Sequence, residues 1–159
     1  MRRSVLLLVI LFLPALAYSD DLSGLIPEKA GRMVRMQLVV GAEAQAEVDT
    51  LHGKALPAEA SVIGRYARPG ISKQPAEVWI SRVRSEAEAR RQTGLMVHKM
   101  FENPQSPFKH PRRIEANGLS VYRFTGMGQE HLIWSKGDLV YWISVAPDGV
   151  DDMVDVFCR

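Results

Sequence analysis

The chain has 159 residues, with 20 Lys and Arg, 18 Asp and Glu, and a single Cys. This length fits one domain that is large enough to bury a hydrophobic core without covalent cross-links. A single cysteine excludes a framework of internal disulfides, so Cys158 is expected to be a buried apolar residue or a free thiol that can pair between chains. Arg2 and Arg3 account for the formal net charge of +2, so the rest of the chain is electrically neutral, and this excludes a generally basic protein.

The N-terminus has the three parts of a secretory leader. Arg2 and Arg3 form a positive n-region, residues 5–13 are apolar, and Ala-Leu-Ala at residues 15–17 is a cleavage motif. The apolar run is shorter than the roughly 20 residues that span a bilayer, so we expect cleavage near Ala17 rather than a membrane anchor. Tyr18 stands where a lipoprotein would have Cys. The pattern predicts a periplasmic or extracellular protein without a transmembrane segment; the alternative is an uncut leader.

Charge is unevenly distributed along the rest of the chain. Residues 65–113 hold 11 basic and 4 acidic side chains, while the segments on both sides are acidic. For an exported protein, nucleic acid is not an expected partner. An anionic glycan, a lipid head group or an acidic envelope protein is the better match to a basic patch. The alternative is a basic surface that only water contacts.

Hydrophobic periodicity divides the first half of the chain into elements. Residues 18–32, which contain Gly and Pro, are expected to be irregular. The remaining elements are a strand at 33–40, a helix at 42–52 that Gly53 ends, strands at 62–67 and 77–83, and a helix that begins after Ser85. Ser85 and Glu88 have the spacing of a capping box, so this helix is the most clearly marked.

The second half begins with an interruption and ends in a meander. Pro104, Pro107 and Pro111 predict a surface loop over residues 101–113. Strands are then expected at 119–125, 131–135 and 139–145, with a short closing helix at 150–157. Together these elements predict a leader at 1–17, an irregular segment at 18–32 and a single α+β domain at 33–159. We expect an antiparallel sheet with two or three helices packed on one face.

One tripeptide occurs twice in corresponding places. Trp79-Ile80-Ser81 recurs as Trp142-Ile143-Ser144, each time in the second strand of a hairpin and just before a helix. This repetition raises the possibility of an internal ββα duplication, which would give two halves of the sheet related by a pseudo-twofold axis. A chance match of three residues is the alternative.

The last hairpin has two different faces. If residues 137–138 form a two-residue turn, Trp134 lies opposite Tyr141, and their face is expected to be core. The other face carries His131 and Trp142 among apolar and polar neighbours. A Trp offers a stacking surface and a His a hydrogen-bonding tip, so this face is a candidate ligand or partner site. The alternative is that a helix or loop covers Trp142.

The proline-containing segment supplies a second candidate contact site. Phe108 is interpreted as a hydrophobic anchor for a basic loop. That loop consists of Lys109, His110, Arg112 and Arg113. Ordinary solvated loop chemistry is the alternative.

Motifs for catalysis or metal binding are not evident. His52, His98, His110 and His131 stand singly, without the short spacings that zinc sites use. There is no nucleophile elbow and no glycine-rich phosphate loop. We therefore predict no catalytic residue, no metal and no cofactor.

Two functions remain open. The first is a non-enzymatic binding or interaction module of the cell envelope that uses the His131 and Trp142 face or the basic loop. The second is a small ligand-binding or hydrolytic enzyme whose site is assembled from isolated residues such as His131, His98 and a carboxylate. A cleft with His131 within about 3 Å of a carboxylate or Ser hydroxyl would favour the enzyme. A shallow aromatic face would favour the module.

Overall fold

The structure is a computed structural model that describes residues 21–71 and 74–159. The predicted leader and its cleavage site lie outside the described residues. The described chain forms these strands and helices: β1 (Lys29–Ala30), β2 (Met33–Val40), α1 (Gly41–His52), β3 (Ala60–Ala67), β4 (Ala76–Arg82), α2 (Glu86–Glu102), β5 (Lys109–Ala116), β6 (Leu119–Gly126), β7 (Gln129–Lys136), β8 (Leu139–Val145) and α3 (Val150–Phe157).

All eight strands pair antiparallel in one sheet with the order β1-β2-β3-β4-β8-β7-β6-β5. The protein is a single α+β domain, as predicted. The strands of the first half of the chain occupy one half of the sheet, and those of the second half occupy the other. The two halves meet where β4 pairs with β8.

Helices α1 and α2 lie on the same face of this sheet. Ala44 of α1 packs against Val39 and Ile63, while Met100 of α2 packs against Ile133 and other residues of the second half. This arrangement agrees with the prediction of two helices on one face. The start of α2 also follows its sequence signal, since the Ser85 side chain accepts a hydrogen bond from the Glu88 amide at 3.2 Å.

The third helix lies on the opposite face. Met153 and Phe157 of α3 join the largest core cluster together with Ile143 and Trp134. Because side chains alternate along a strand, Ile143 faces away from Trp142 and therefore away from α2. The two predicted ββα units thus match in strand order and differ in the placement of the helix that follows.

The last hairpin has the predicted register. Trp134 lies opposite Tyr141, and their rings stack with centroids 4.6 Å apart. The face that they share is buried and forms the main core, as expected. Cys158, at the end of α3, is fully buried in the same core, and burial raises the pKa of its thiol to about 11. A protonated, inaccessible thiol is poorly suited to pairing with another chain.

Two segments are more ordered than their composition suggests. Within the segment expected to be irregular, the chain from residue 21 onward forms a 3₁₀ turn at Leu22–Leu25 and strand β1, and it buries Leu22 and Ile26 in the main core. The predicted loop at 101–113 is wrong at both ends, since α2 continues to Glu102 and β5 starts at Lys109.

The position of β5 in the sheet explains how a strand tolerates proline. It is the outermost strand, so Pro111 removes an amide donor only where the ladder is already irregular, between Lys109 and Arg112. His110 takes a left-handed conformation there, with φ of 53°. None of the helices in the described ranges is long and apolar enough to cross a membrane.

Candidate functional site

A cleft opens on the helical face at the centre of the sheet. Helix α1 packs over β2 and β3, and α2 packs over β7 and β8. The contact between β4 and β8 lies in the gap between the two helices. A gap of this kind leaves sheet side chains exposed at a place where both walls are rigid, which is a common setting for a ligand site.

Two tryptophans form the floor of this cleft. Trp79 of β4 and Trp142 of β8 are direct cross-strand partners, and both are half-buried. The Trp142 indole donates to Ser144 Oγ at 3.0 Å, and the Trp79 indole donates to Glu77 Oε2 at 3.3 Å. Since Glu77 and Ser144 are themselves partners in the next row, both indole N–H groups are directed to the same side. That side of the floor is polar and the rest is aromatic.

The walls are mainly apolar and come from both helices, the loop before β4, the segment after α2 and the region of the turn between β6 and β7. The cleft has a volume of about 330 Å³, within the range of small-molecule sites. Beside the floor, its lining side chains are Leu51, His52, Gln74, Met96, Lys99, Met100, Phe108, Met127 and Gln129. Three of these are methionines, whose flexible side chains adapt to differently shaped ligands.

The structure brings together three of the residues singled out from the sequence. The Phe108 ring lies 4.8 Å from the ring of His131 and 5.6 Å from that of Trp142, both edge-to-face. Phe108 thus anchors the segment after α2 and contributes to the lining of the cleft. Helix α2 covers part of Trp142 and leaves the remainder open to the cleft.

The hydrogen-bond partners of His131 fix the tautomer of its neutral imidazole ring. Its Nε2 lies 3.1 Å from the Gly126 carbonyl, which only accepts, so Nε2 carries the proton. Its Nδ1 lies 2.9 Å from Ser144 Oγ and therefore accepts from that hydroxyl. Burial lowers the pKa of His131 from its ordinary value of 6.5 and keeps the ring neutral.

The contact between His131 and Ser144 meets the distance criterion for an enzyme. Other features of the pair are less suited to nucleophilic catalysis. His131 is 2% exposed and Ser144 is 8% exposed. The Trp142 indole also donates to the Ser144 oxygen, which withdraws electron density from the atom that would attack. The carboxylate next in sequence, Glu130, lies on the other face and pairs with Arg123 at 2.8 Å.

The basic residues of the second candidate site lie apart from the cleft floor, along the exposed edge strand β5. Their side chains point to several local partners: Lys109 Nζ lies 3.3 Å from the Pro104 carbonyl, and His110 Nδ1 lies 2.9 Å from Thr125 Oγ1. Arg113 contacts Ser120 and lies 3.6 Å from Glu115. Arg112 is exposed on the same strand. These residues form an edge rather than the loop expected from the prolines.

Met127 occupies a strained position at the rim of the cleft. It is the first residue of the two-residue turn between β6 and β7 and has φ of 52°, a region that favours Gly or Asn. Asn117 occupies the same place in the turn between β5 and β6, with φ of 49°. Met127 is nevertheless 60% exposed, so its packing does not repay the strain. Met127 is thus a strained, exposed apolar side chain on the lining of the cleft, and strained residues cluster at functional sites.

We expect Met127→Asn to stabilise the protein and to weaken ligand binding at the same time. Asn suits the left-handed conformation, so the free energy of unfolding should rise by about 1 kcal/mol, as measured by urea denaturation. Met127→Leu is the matched control, because it keeps both the strain and the apolar surface. A fall in stability in the Asn variant would show that Met127 is held by packing within the fold.

Sequence inspection missed most of the cleft walls. Leu51, Met96 and Lys99 carry no motif, and only the fold places α1 and α2 on either side of the tryptophans. The repeated tripeptide was the one signal that marked Trp79, since it aligned this residue with Trp142. His98 pairs with Glu102 at 2.9 Å on the exposed side of α2 and does not line the cleft.

Within residues 21–71 and 74–159, no three His, Cys, Asp or Glu side chains come together as a metal site would require. A scan of protein-family models, a search of curated proteins and a search of solved structures each give no match.

Proposed function

We propose that the protein is an exported, non-enzymatic binding module of the cell envelope, and that its ligand occupies the cleft over Trp79 and Trp142. The observation that carries this proposal is the pair of partly exposed, cross-strand tryptophans between α1 and α2. Aromatic rings offer a large contact area at low cost in conformational entropy, and they are enriched among residues that dominate binding energy.

The apolar rim supports the same conclusion. Leu51 is 55% exposed although it points into the cleft from the last turn of α1. Together with Met127 it extends the apolar surface of the floor outward. Exposed apolar side chains that are contiguous with an apolar cleft indicate a surface that is covered in the bound state.

Export is supported by the leader pattern of residues 1–17. The exposed basic residues of β5 are a second contact surface in this proposal, suited to an anionic glycan, an anionic lipid or an acidic envelope protein. Recovery of the protein outside the cytoplasm, with an N-terminus at or near Tyr18, would support export. A cytoplasmic protein with Met1 intact would contradict it.

Binding in the cleft is tested with the neutral apolar dye N-phenyl-1-naphthylamine and the protein expressed with its own leader. We expect the dye to bind with enhanced emission, and Leu51→Ser to weaken its binding about three- to tenfold, since a leucine of the binding surface is lost. Thermal stability should change little, because Leu51 is mostly exposed.

Leu95→Ser is the matched control for this experiment. Leu95 is 44% exposed on α2 and does not line the cleft, so the same substitution should leave dye affinity unchanged. If the folded protein does not bind the dye, or if both variants lose affinity equally, the dye site is not the cleft and the proposal is contradicted.

A hydrolytic enzyme is the second candidate, and the 2.9 Å contact between His131 and Ser144 is the observation that favours it. A Ser hydroxyl that donates to a neutral imidazole is the starting arrangement for general-base activation. Hydrolysis of p-nitrophenyl esters by the wild-type protein, lost in Ser144→Ala with the fold retained, would favour this candidate over the binding module.

A further inference from the structure

The charged groups that line the cleft differ in the number of hydrogen bonds and ion pairs that they form with neighbouring residues. Glu77 is the one carboxylate among the described residues that line the cleft. Its Oε1 accepts from Arg65 Nε at 2.9 Å, and its Oε2 accepts from the Trp79 indole. Arg65 also pairs with Glu47 of α1. The carboxylate of Glu77 is therefore engaged on both oxygens within the sheet and with the helix beside it, and it offers little attraction to a cationic ligand.

Three of the neutral polar residues of the lining, His131, Ser144 and Gln129, are engaged in a similar way. His131 uses both ring nitrogens, and Ser144 Oγ both donates to His131 and accepts from Trp142. Gln129 donates to the Pro75 carbonyl at 3.1 Å. These groups complete each other's hydrogen bonds and leave few open positions for a polar ligand body. The floor is consequently suited to an apolar body.

Among the described charged residues of the lining, Lys99 is the exception. It projects from the last turns of α2, and its ammonium has no hydrogen bond or ion pair with any residue in the described ranges. On the other wall of the cleft, His52 Nδ1 forms a hydrogen bond with the Val48 carbonyl at 2.8 Å, and its Nε2 takes no part in that bond. An unpaired cation beside an aromatic and methionine-rich surface is complementary to an anion that carries an apolar body.

We propose that the cleft binds amphipathic anions, with the apolar body on Trp79 and Trp142 and the anionic group next to Lys99. This inference rests on the proposed binding function of the cleft and specifies its ligand class. A carboxylate on an unbranched hydrocarbon chain has the required chemistry, because the chain follows an open groove while the head group remains near solvent. The adaptable methionines accommodate chains of different length.

The test compares three probes that share a ten-carbon chain and differ in head group: decanoate, 1-decanol and decyltrimethylammonium. Binding to the protein expressed with its own leader is measured by isothermal titration calorimetry and by intrinsic tryptophan fluorescence. Trp79 and Trp142 report on the cleft, whereas Trp134 is buried on the opposite face. We expect decanoate to bind at least tenfold more tightly than either of the other probes.

Lys99→Gln isolates the contribution of the head group. It should reduce decanoate affinity about tenfold, to the level of decanol, and leave decanol binding unchanged. Lys29→Gln is the matched control. Lys29 is exposed on the short edge strand β1, which is several strands away from β7 and β8, where α2 packs. This substitution should change the affinity for neither decanoate nor decanol.

The outcomes separate this inference from the proposed function. Equal binding of the three probes, or decanoate binding that survives Lys99→Gln, would overturn the anionic ligand class and leave the cleft as a binding site. Tightest binding of decyltrimethylammonium would overturn it in favour of a cation held over the tryptophans. Failure of all three probes to bind or to change tryptophan fluorescence would contradict the proposed function itself.

Discussion

Trp134→Ala is expected to lower the free energy of unfolding by about 3–5 kcal/mol, the largest stability loss that we predict for a single substitution in this protein. The indole is completely buried in the main core and stacks on Tyr141. Removing it leaves a cavity between the sheet and α3, where Phe157 and Cys158 also lie. Urea denaturation followed by far-UV circular dichroism measures the change.

Trp134→Phe is the control that separates volume from hydrogen bonding. The buried indole nitrogen of Trp134 has no acceptor among the described residues. Loss of this N–H should therefore not lower the free energy of unfolding, because it removes a buried donor without a hydrogen bond. The Phe variant should therefore lose clearly less stability than the Ala variant. Equal losses would mean that the indole nitrogen has a partner, such as a buried water, and that this interaction stabilises the core.

Trp142→Ala is expected to have the largest effect on binding, a loss of dye affinity of at least tenfold. Half of the cleft floor disappears, and residues of this kind commonly contribute 2 kcal/mol or more to binding, about 30-fold in affinity. The stability cost should be about 1–3 kcal/mol, less than for Trp134, because Trp142 is only half-buried and contacts Phe108 at one edge. The dye titration and urea denaturation measure the two effects on the same samples.

Tyr122→Ala is the matched control for that experiment. Tyr122 is a half-buried aromatic residue on the same face of the sheet, in the same packing cluster, and it does not line the cleft. It should lose stability to a similar extent and retain dye affinity. A Trp142→Ala protein that binds the dye normally, or that loses as much stability as Trp134→Ala, would show that Trp142 belongs to the core and not to a binding site.

The elements with strong local signals follow the sequence closely. The helix after Ser85 starts where its capping box indicates, and α1 ends at Gly53 with φ of 65°. The two-residue turn at 137–138 sets the register of the last hairpin, and this register places Trp134 and Tyr141 in the core. In each case the information lies within a few residues, so the local pattern is sufficient.

Other elements depend on their surroundings more than on a local pattern. The sequence of strand β5 contains proline and is typical of a loop. The segment nevertheless pairs with β6, since a strand at the edge of the sheet tolerates the missing amide donor. The chain around Leu22 and Ile26 has turn residues, yet its apolar side chains are buried by the sheet. The placement of α3 opposite α1 and α2 depends on which face of the sheet is still uncovered when the chain returns.

Some features of the candidate site were predicted from local patterns, and others depend on tertiary contacts. Sequence alternation placed His131 and Trp142 on the face opposite the core, and Phe108 was expected to act as an anchor. No local signature marks the spacing between α1 and α2, the pairing of Trp79 with Trp142, or the lack of a partner for the Lys99 ammonium among the described residues. They arise from contacts between residues that are far apart in the chain.

Period-two alternation and turn chemistry act over short distances, so the fold class, the hairpin register and the face of β8 that joins the main core follow from the sequence alone. It also carries the leader pattern on which the proposed export depends. The existence of a cleft, in contrast, depends on how distant elements pack together. A cleft is the surface that two packed helices leave uncovered, and its position follows from the strand order of the whole sheet rather than from any single segment.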